Sequence, residues 1–186
     1  MERSSLTSIE ELSQPELRLA GLRINPATNG RSRSSYYTGL VIQNIETGKK
    51  RKVKGLPRDG RISNITWSPN GKQIALSVTK GTQINLYVVN IKNGKGKLLL
   101  KSPLNAIWGA PFYWISNSEE LIVKTVIDNR GNPPQASRVP DAPVIQENLG
   151  KVAPARTYQD LLTNSYDEKL FEYYMSSQLV RVNMKG

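Results

Sequence analysis

The chain contains 186 residues, of which 38% are hydrophobic and 22% are charged, and its formal net charge is +11 at pH 7. This composition is typical of a soluble globular protein with one sizeable core, and no apolar run is long enough for a membrane-spanning helix. The absence of cysteine and histidine excludes a thiol nucleophile, thiolate or imidazole metal ligands and a Ser-His-Asp triad within these residues. We therefore expect no metal, no cofactor and no catalytic residue in this chain.

The first segment, residues 1–34, is predicted to be a lead-in made of a helix and a loop. Ser8 and Glu11 have the spacing of a capping box, in which a hydroxyl and a carboxylate each accept a hydrogen bond from a backbone N–H at a helix start. Pro15 limits any such helix to a short one. Residues 21–34 are rich in turn-forming and basic side chains, which predicts a loop that leads into the first sheet.

Residues 35–127 are predicted to form antiparallel strands. The turn Ser68-Pro69-Asn70-Gly71 favours a hairpin, because proline presets φ while asparagine and glycine tolerate a positive φ. Apolar residues alternate along the chain on both sides of this turn, as half-buried strands require. They are Ile65, Trp67, Ile74, Leu76, Val78, Ile84, Leu86 and Val88. An outer strand is expected at residues 97–100.

Two strand types recur with nearly the same period, which indicates a repeated sheet. The aligned pairs of segments are 67–76 with 114–123, 41–48 with 87–94, and 179–184 with 86–91. The first two offsets are 47 and 46 residues, and the third is 93. One four-stranded β-propeller blade occupies about 40–50 residues. The predicted fold class is therefore all-β, a partial β-propeller of about two to three blades, with a plain antiparallel meander as the alternative.

Residues 128–178 interrupt the repeat and are predicted to be a Pro-rich and helical insertion. The prolines Pro133, Pro134, Pro140, Pro143 and Pro154 exclude sheet interior and helix from residues 128–156. From residue 157 the apolar residues recur at helical spacings, which favours two short helices separated near residue 164. Residues 179–186 are then expected to begin the next strand.

The basic cluster at residues 49–54 requires nucleic-acid binding to be considered. This cluster follows the turn at Gly48, where lysines on an outer strand discourage edge-to-edge pairing of sheets. No aromatic residues alternate with the lysines, as a binder of single-stranded nucleic acid would need. A solvated outer strand is the favoured interpretation, and no nucleic-acid partner is expected.

Several longer motifs together carry a resemblance to one enzyme family. They are Leu-Arg-Leu-Ala-Gly-Leu-Arg-Ile-Asn-Pro at 17–26, Asn-Gly-Arg-Ser-Arg at 29–33, Trp-Ser-Pro-Asn-Gly at 67–71, Asn105 with Gly-Ala-Pro-Phe at 109–112, Pro-Pro at 133–134, Ala-Arg-Thr-Tyr-Gln-Asp-Leu-Leu at 155–162 and Leu-Phe-Glu-Tyr-Tyr at 170–174. With these motifs the chain resembles the glutamyl endopeptidase-like branch of the prolyl oligopeptidase serine peptidases. The similarity extends from about Ser5 to Gly186 and covers part of that family's N-terminal β-propeller.

The resemblance implies an α/β-hydrolase domain further along the same polypeptide, with a serine in a Gly-x-Ser-x-Gly elbow and Asp and His behind it. This chain contains no Gly-x-Ser-x-Gly motif, so none of the family's catalytic residues is transferred to it. In such enzymes the propeller covers the catalytic cavity, restricts substrate size and contributes to recognition. The chain is thus predicted to be a non-catalytic part of a serine peptidase, with the hydrolase domain and a peptide substrate as its partners.

The family's name implies an acidic side chain at the cleavage site, which a bidentate arginine would recognise. Arg130 and Arg138, both in the Pro-rich insertion, are the candidate substrate-facing residues. Further arginines on the insertion and the lead-in are Arg23, Arg31, Arg33 and Arg156. The alternative is that these arginines are solvated or form hydrogen bonds within their own loops.

A second interpretation is a stand-alone binding module. An incomplete propeller leaves unpaired sheet edges, through which two chains can associate with each other. Self-association through these edges is therefore a further expected partner interaction. The sequence leaves the compartment open, with export to the periplasm expected if the source is bacterial.

Overall fold

The computed structural model describes residues 2–3, 8–137, 150 and 160–184. Its helices are α1 (Ile9–Leu12) and α2 (Ser165–Met175). Its strands are β1 (Glu2–Arg3), β2 (Leu17–Leu19), β3 (Leu22–Asn25), β4 (Gly30–Arg31), β5 (Tyr37–Gly39), β6 (Val41–Gln43), β7 (Lys50–Lys52), β8 (Arg61–Trp67), β9 (Gln73–Lys80), β10 (Gln83–Asn90), β11 (Lys95–Leu100), β12 (Phe112–Trp114), β13 (Glu120–Thr125) and β14 (Gln178–Asn183). In this part of the chain the strand pairs are antiparallel and no sheet closes on itself.

The central blade is a four-stranded meander in the order β8-β9-β10-β11. The predicted hairpin turn joins β8 to β9, and Ser68 Oγ accepts a hydrogen bond from the backbone N–H of Gln73 at 3.0 Å. Gly71 in this turn has a φ of 68°, which favours glycine because a Cβ atom is disfavoured there. The predicted outer strand is confirmed as part of β11. Beyond β8, the strands β5 and β1 extend the sheet.

The second blade repeats this arrangement with three strands in the order β12-β13-β14. The repeat matches β12 to β8, β13 to β9 and β14 to β10. Pairing of β13 with β14 runs without a shift from Glu120 opposite Asn183 to Thr125 opposite Gln178. The described parts of the insertion, residues 128–137, 150 and 160–177, therefore lie outside this sheet.

The central blade is buried on both faces, each against a different neighbour. Alternation along β9 directs Leu76 and Val78 towards Leu40 and the partly buried Ile42 of the β6–β7 hairpin. Ala75 points the other way and shares a cluster with residues of both blades, namely Leu86, Val88, Phe112, Leu121, Val123 and Val182. Sheets stacked face to face in this way form a partial propeller. The predicted all-β fold class is confirmed.

The lead-in contains more sheet than the sequence predicted. Strands β2, β3 and β4 form a three-stranded sheet within the segment expected to contain only a helix and a loop, and β3 and β4 lie in the predicted loop itself. Ile24 on β3 is 0% exposed and packs with Ile107 and with Leu170 of α2. These partners are distant in sequence, so the local turn-forming residues gave no sign of the tertiary contacts that stabilise the strands.

Both described helices begin with side-chain caps. The predicted capping box of α1 is confirmed, since Ser8 Oγ accepts from the Glu11 N–H at 3.2 Å and a Glu11 carboxylate oxygen accepts from the Ser8 N–H at 3.1 Å. Asn164 caps α2 by accepting from the Asp167 N–H at 2.9 Å. The other short helix predicted near residues 157–163 lies partly outside the described residues, and residues 160–164 are not helical.

Candidate functional site

A polar cavity of about 690 Å³ lies between the lead-in and the central blade. Residues 31–37 form one wall, and residues of β8 and β9 form the opposite one. Its charged lining residues are Arg31, Arg33, Arg61, Lys80, Glu11 and Asp59. Cationic side chains thus outnumber carboxylates around the cavity, which suits an anionic group on a ligand.

Arg61 on β8 joins the wall of the cavity to the lead-in helix. Its Nη1 atom lies 3.1 Å from Glu11 Oε1. The guanidinium carbon lies 5.3 Å from the centre of the Tyr36 ring, within range of a cation–π contact. Glu11 therefore compensates the charge of Arg61, and the pair holds α1 close to β8.

Glu16 is the centre of an ion-pair network in the lead-in. Its carboxylate accepts a hydrogen bond from Ser32 Oγ at 2.7 Å and lies 3.3 Å from Arg33 Nε, 3.4 Å from Arg18 Nε and 3.9 Å from Arg23 Nη1. The side chain is only 8% exposed. The Ser32 hydrogen bond, followed by the guanidinium of Arg33, holds the pKa of Glu16 below its usual value despite the opposing effect of burial.

This lowered pKa predicts how stability depends on pH. A carboxyl group with a lower pKa in the folded state stabilises the protein when ionised, and that stabilisation is lost as the pH falls through the folded-state pKa. We expect Glu16→Gln to be less stable than the wild type near neutral pH, with the difference shrinking below the ordinary glutamate pKa of 4.5. Urea unfolding followed across this range measures the difference, and the exposed Glu46→Gln is the control. A difference between wild type and Glu16→Gln that stays constant with pH would contradict the assignment.

The floor of the cavity is polar because of two residues on β8 and β9. Asn64 has a φ of 48° at the irregular pairing between Ser63 and Thr66, and its Nδ2 donates to Ser77 Oγ at 2.9 Å. Ser77 is 1% exposed although its neighbours on β9 are apolar. The lone serine within the apolar run at 74–78 could have indicated a polar contact at this place in the strand. The positive φ of Asn64 could not be predicted from the neighbouring residues.

Arg130 ties the insertion to the lead-in beside this cavity. Its Nη2 donates to Asn29 Oδ1 at 2.6 Å, and its Nη1 donates to the carbonyl oxygen of Tyr173 at 3.3 Å. The guanidinium carbon also lies 4.1 Å from the centre of the Tyr173 ring. Tyr173 in turn donates its hydroxyl to the carbonyl of Gly131 at 2.8 Å. We refer to Arg130, Asn29, Gly131 and Tyr173 as the arginine clasp.

The arginine clasp and the cavity share the turn between β3 and β4. Asn29 in this turn holds Arg130, while Thr28 and Arg31 on either side of it line the cavity. Arg31 is itself positioned by a hydrogen bond from its Nε to the carbonyl of Ile107, at 3.2 Å. A movement of the insertion would therefore also move the residues of this turn that line the cavity.

The arginines singled out from the sequence occupy different places. Arg130 is half-buried in the clasp, whereas Arg138 lies outside the described residues, as does Arg156. Arg31 and Arg33 line the cavity together with Arg61, which the sequence did not single out. The residues that the structure describes contain no group of three or more carboxylates arranged so that it could hold a metal ion. No helix there is long and apolar enough to cross a membrane.

Comparison with known proteins gives two plant proteins that match this chain over its whole length. The chain is 39% identical over 201 residues to a probable chloroplastic glutamyl endopeptidase of Oryza sativa subsp. japonica, covering 100% of this chain and 21% of the relative. Over its whole length the chain is homologous to a part of these glutamyl endopeptidase-like proteins. The probable chloroplastic glutamyl endopeptidase of Arabidopsis thaliana is 38% identical over 199 residues, again covering 100% of this chain and 20% of the relative.

The chain thus spans about a fifth of the length of these glutamyl endopeptidase relatives. No family model matches it. Among solved structures, an acylaminoacyl peptidase of Pyrococcus horikoshii is similar with a TM-score of 0.35 and 20% identity, over 56% of this chain and 14% of that one. A putative dipeptidyl aminopeptidase IV of Bacteroides ovatus is similar with a TM-score of 0.39 and 18% identity, over 62% of this chain and 18% of that one.

Proposed function

We propose that this chain is a non-catalytic propeller portion of a serine peptidase, which gates the access of peptides and helps to recognise them for a catalytic α/β-hydrolase domain in the same polypeptide. The observation that carries the proposal is the match of the whole chain to peptidases of which it spans 21% and 20%. The lack of histidine and of a Gly-x-Ser-x-Gly motif supports a role outside the catalytic step. In this proposal the chain divides into the lead-in 1–34, blades 35–127, the insertion 128–178 and a strand from 179.

The size of the natural gene product tests the proposed arrangement of domains. An antibody raised to this chain should detect, in source cells, a protein several times larger than 20.8 kDa. A band at the mass of the chain itself would contradict a hydrolase domain in the same polypeptide. It would instead favour a stand-alone module that associates through its open sheet edges.

The proposal also extends to the class of substrate. Both plant relatives are named as glutamyl endopeptidases, and we extend to this chain the recognition of an acidic side chain. Arg130 and Arg138 are the proposed contacts, because a guanidinium donates two parallel hydrogen bonds to a carboxylate. For Arg130 this contact requires the guanidinium to exchange its hydrogen bonds to Asn29 and Tyr173 in the arginine clasp. The lining of the neighbouring cavity, where Arg31 and Lys80 add to the ion-paired Arg33 and Arg61, supports an acidic ligand in this region.

Replacing these arginines in the complete enzyme tests the proposed recognition. We expect Arg130→Ala and Arg138→Ala each to reduce the preference for a substrate cleaved after glutamate over its glutamine counterpart by about 10- to 100-fold, as loss of a hydrogen bond between charged groups predicts. The ratio of the two kcat/KM values is the appropriate measure, because a general loss of structure lowers both. The exposed Arg58→Ala is the matched control. An unchanged ratio in both variants would remove the two arginines from substrate recognition.

A further inference from the structure

The β6–β7 hairpin and the adjoining strand β11 carry a dense positive charge. Residues 41–54 and 91–98 contain eight cationic side chains and a single carboxylate, that of Glu46. All eight cationic residues are exposed, and within the described part of the chain no ion pair joins any of them to a carboxylate. We refer to these eight residues as the basic strip. They are Lys49, Lys50, Arg51, Lys52, Lys54, Lys92, Lys95 and Lys97.

Backbone contacts join the two segments of the basic strip into one surface. Lys54 donates its backbone N–H to the carbonyl oxygen of Gly94 at 2.9 Å, and its own carbonyl oxygen accepts from the Gly96 N–H at 2.7 Å. The guanidinium of Arg51 donates to the carbonyl oxygen of Lys92 in the turn between β10 and β11. A Cβ atom on Gly94 would lie 2.7 Å from Arg51 Cδ, so glycine favours this close approach. The basic strip is therefore continuous across two hairpins.

The two faces of the β6–β7 hairpin differ in what they contact. Cross-strand pairing places Ile42 opposite Arg51, and Ile42 packs against the core cluster of the central blade. The other face of the hairpin carries Val41, Lys50 and Lys52, which are all exposed. The hairpin is thus held to the blade through one face and presents a cationic face to solvent.

An apolar side chain lies at the apex of this hairpin. Asn44 Oδ1 accepts hydrogen bonds from the backbone N–H of Thr47 at 2.7 Å and from its hydroxyl at 2.9 Å. Gly48, with a φ of 67°, closes the turn by donating its N–H to the carbonyl oxygen of Asn44 at 2.9 Å. Ile45 lies within this hydrogen-bonded turn and is 97% exposed. A single exposed isoleucine is common on proteins, but this one is held at the end of a cationic hairpin, just before Lys49.

We propose that the basic strip and Ile45 bind the surface of an anionic lipid bilayer, with the lysines facing the headgroups and Ile45 inserted at the boundary with the acyl chains. Lysines close to an anionic membrane are attracted by its surface potential, and burial of an apolar side chain at the interface adds to that attraction. The chain lies on the bilayer in this proposal and does not cross it. The proposal goes beyond the peptidase function and does not depend on the recognition of acidic peptides.

A nucleic acid fits the same surface less well. Arginine is the cation best suited to bidentate recognition of phosphate, and the one arginine of the strip, Arg51, already donates to the carbonyl oxygens of Ile91 and Lys92. Residues 41–54 and 91–98 contain no aromatic side chain that could stack on a base. Ile45 gains no burial against a row of phosphates, whereas it does at an acyl-chain boundary. Charge and apolar exposure together therefore favour a bilayer.

Sedimentation with lipid vesicles tests the role of the basic strip. We expect the 186-residue chain to bind vesicles made of equal parts of phosphatidylcholine and phosphatidylglycerol, and to bind phosphatidylcholine vesicles only weakly. The double variant Lys50→Gln and Lys52→Gln should weaken binding to the anionic vesicles by about tenfold or more, as loss of two charges near the surface predicts. The control, Lys101→Gln with Lys169→Gln, removes the same charge from exposed positions outside the strip. Equal weakening in the two double variants, or no binding by the unaltered chain, would overturn the proposal.

An environment-sensitive dye tests the insertion of Ile45, because the chain contains no natural cysteine to compete for the label. The dye is attached to Ile45→Cys and, as the matched control, to Ile9→Cys on α1, where the native side chain is 85% exposed. Anionic vesicles should shift the dye emission to shorter wavelength at position 45 and leave it unchanged at position 9. An unchanged emission at position 45, or the same shift at both positions, would contradict insertion of the apex.

The dye experiment is repeated in the complete polypeptide, because Ile91, the counterpart of Ile45 at the 46-residue offset, is partly buried. The proposal requires that Ile45→Cys be labelled there as well and that anionic vesicles shift its emission in the same direction. Failure of this site to react with the dye would show that the apex is covered, and would overturn the proposal. Binding of a DNA duplex by the chain without any emission shift on vesicles would overturn it in favour of a nucleic acid.

Discussion

Replacing Phe112 with alanine is expected to lower the free energy of unfolding by about 3–5 kcal/mol. Phe112 is 1% exposed and lies in the cluster that joins the two blades, with Ala75 and Leu86 on one side and Leu121 on the other. Removal of the ring leaves a cavity that side chains on two stacked sheets cannot fill without moving the sheets. Chemical denaturation of the purified chain, monitored by circular dichroism, measures the change.

Tyr113 provides a matched control for this substitution. It is the next residue on β12, has an aromatic ring of similar size and is 57% exposed on the opposite face. Tyr113→Ala is expected to change the free energy of unfolding of the isolated chain by less than about 1 kcal/mol. Equal losses in the two variants would show that the blades do not stack through the face that carries Phe112.

Replacing Asn105 with alanine is expected to cost about 2–4 kcal/mol of stability. Asn105 is 2% exposed, and its Nδ2 donates to the carbonyl oxygens of Tyr174 at 2.8 Å and Ser176 at 3.0 Å. Its Oδ1 accepts from the Ile107 N–H at 3.3 Å. The substitution removes these three hydrogen bonds at the junction of the insertion helix with the blades, and a buried backbone group left without a partner is costly.

The effect of Asn105→Ala should be greatest at the end of α2. Hydrogen exchange is expected to accelerate in α2 more than in β9 and β10, because the substitution releases the helix while the central blade keeps its own pairing. The exposed Asn117→Ala, which removes a hydrogen bond to Glu120 at 3.0 Å, is the control. If both asparagine variants unfold at the same denaturant concentration as the wild type, Asn105 does not hold the helix to the blades.

The elements predicted correctly from the sequence are those determined by short-range rules. The hairpin at residues 68–71 follows from the conformations that proline, asparagine and glycine adopt, and the start of α1 follows from the spacing of Ser8 and Glu11. The 47-residue offset aligned β8 and β9 with β12 and β13. Alternation of apolar residues also predicted that Leu76 and Val78 share a face, since side-chain direction in a strand has a period of two.

Less of the candidate site than of the fold could be predicted from the sequence. Arg130 and Arg138 were selected by residue type and by their place in the insertion, and their contact with a substrate remains a proposal. Nothing local to Arg130 indicates that it would meet Asn29 and Tyr173 in the arginine clasp. The cavity lined by Arg31, Arg33 and Arg61 was not predicted either, because its two walls come from segments far apart in the chain.

Sequence reasoning alone was enough to predict the all-β class, the blade repeat, the exclusion of a histidine-dependent catalytic site from these residues and the family resemblance. Each of these depends on composition, on neighbouring residues or on a fixed period along the chain. The structure was needed to show that the lead-in forms strands against α2, that Glu16 forms ion pairs with three arginines, and that one face of the second blade carries exposed apolar side chains. These features depend on which distant segments meet when the sheets stack, and no local pattern specifies that choice.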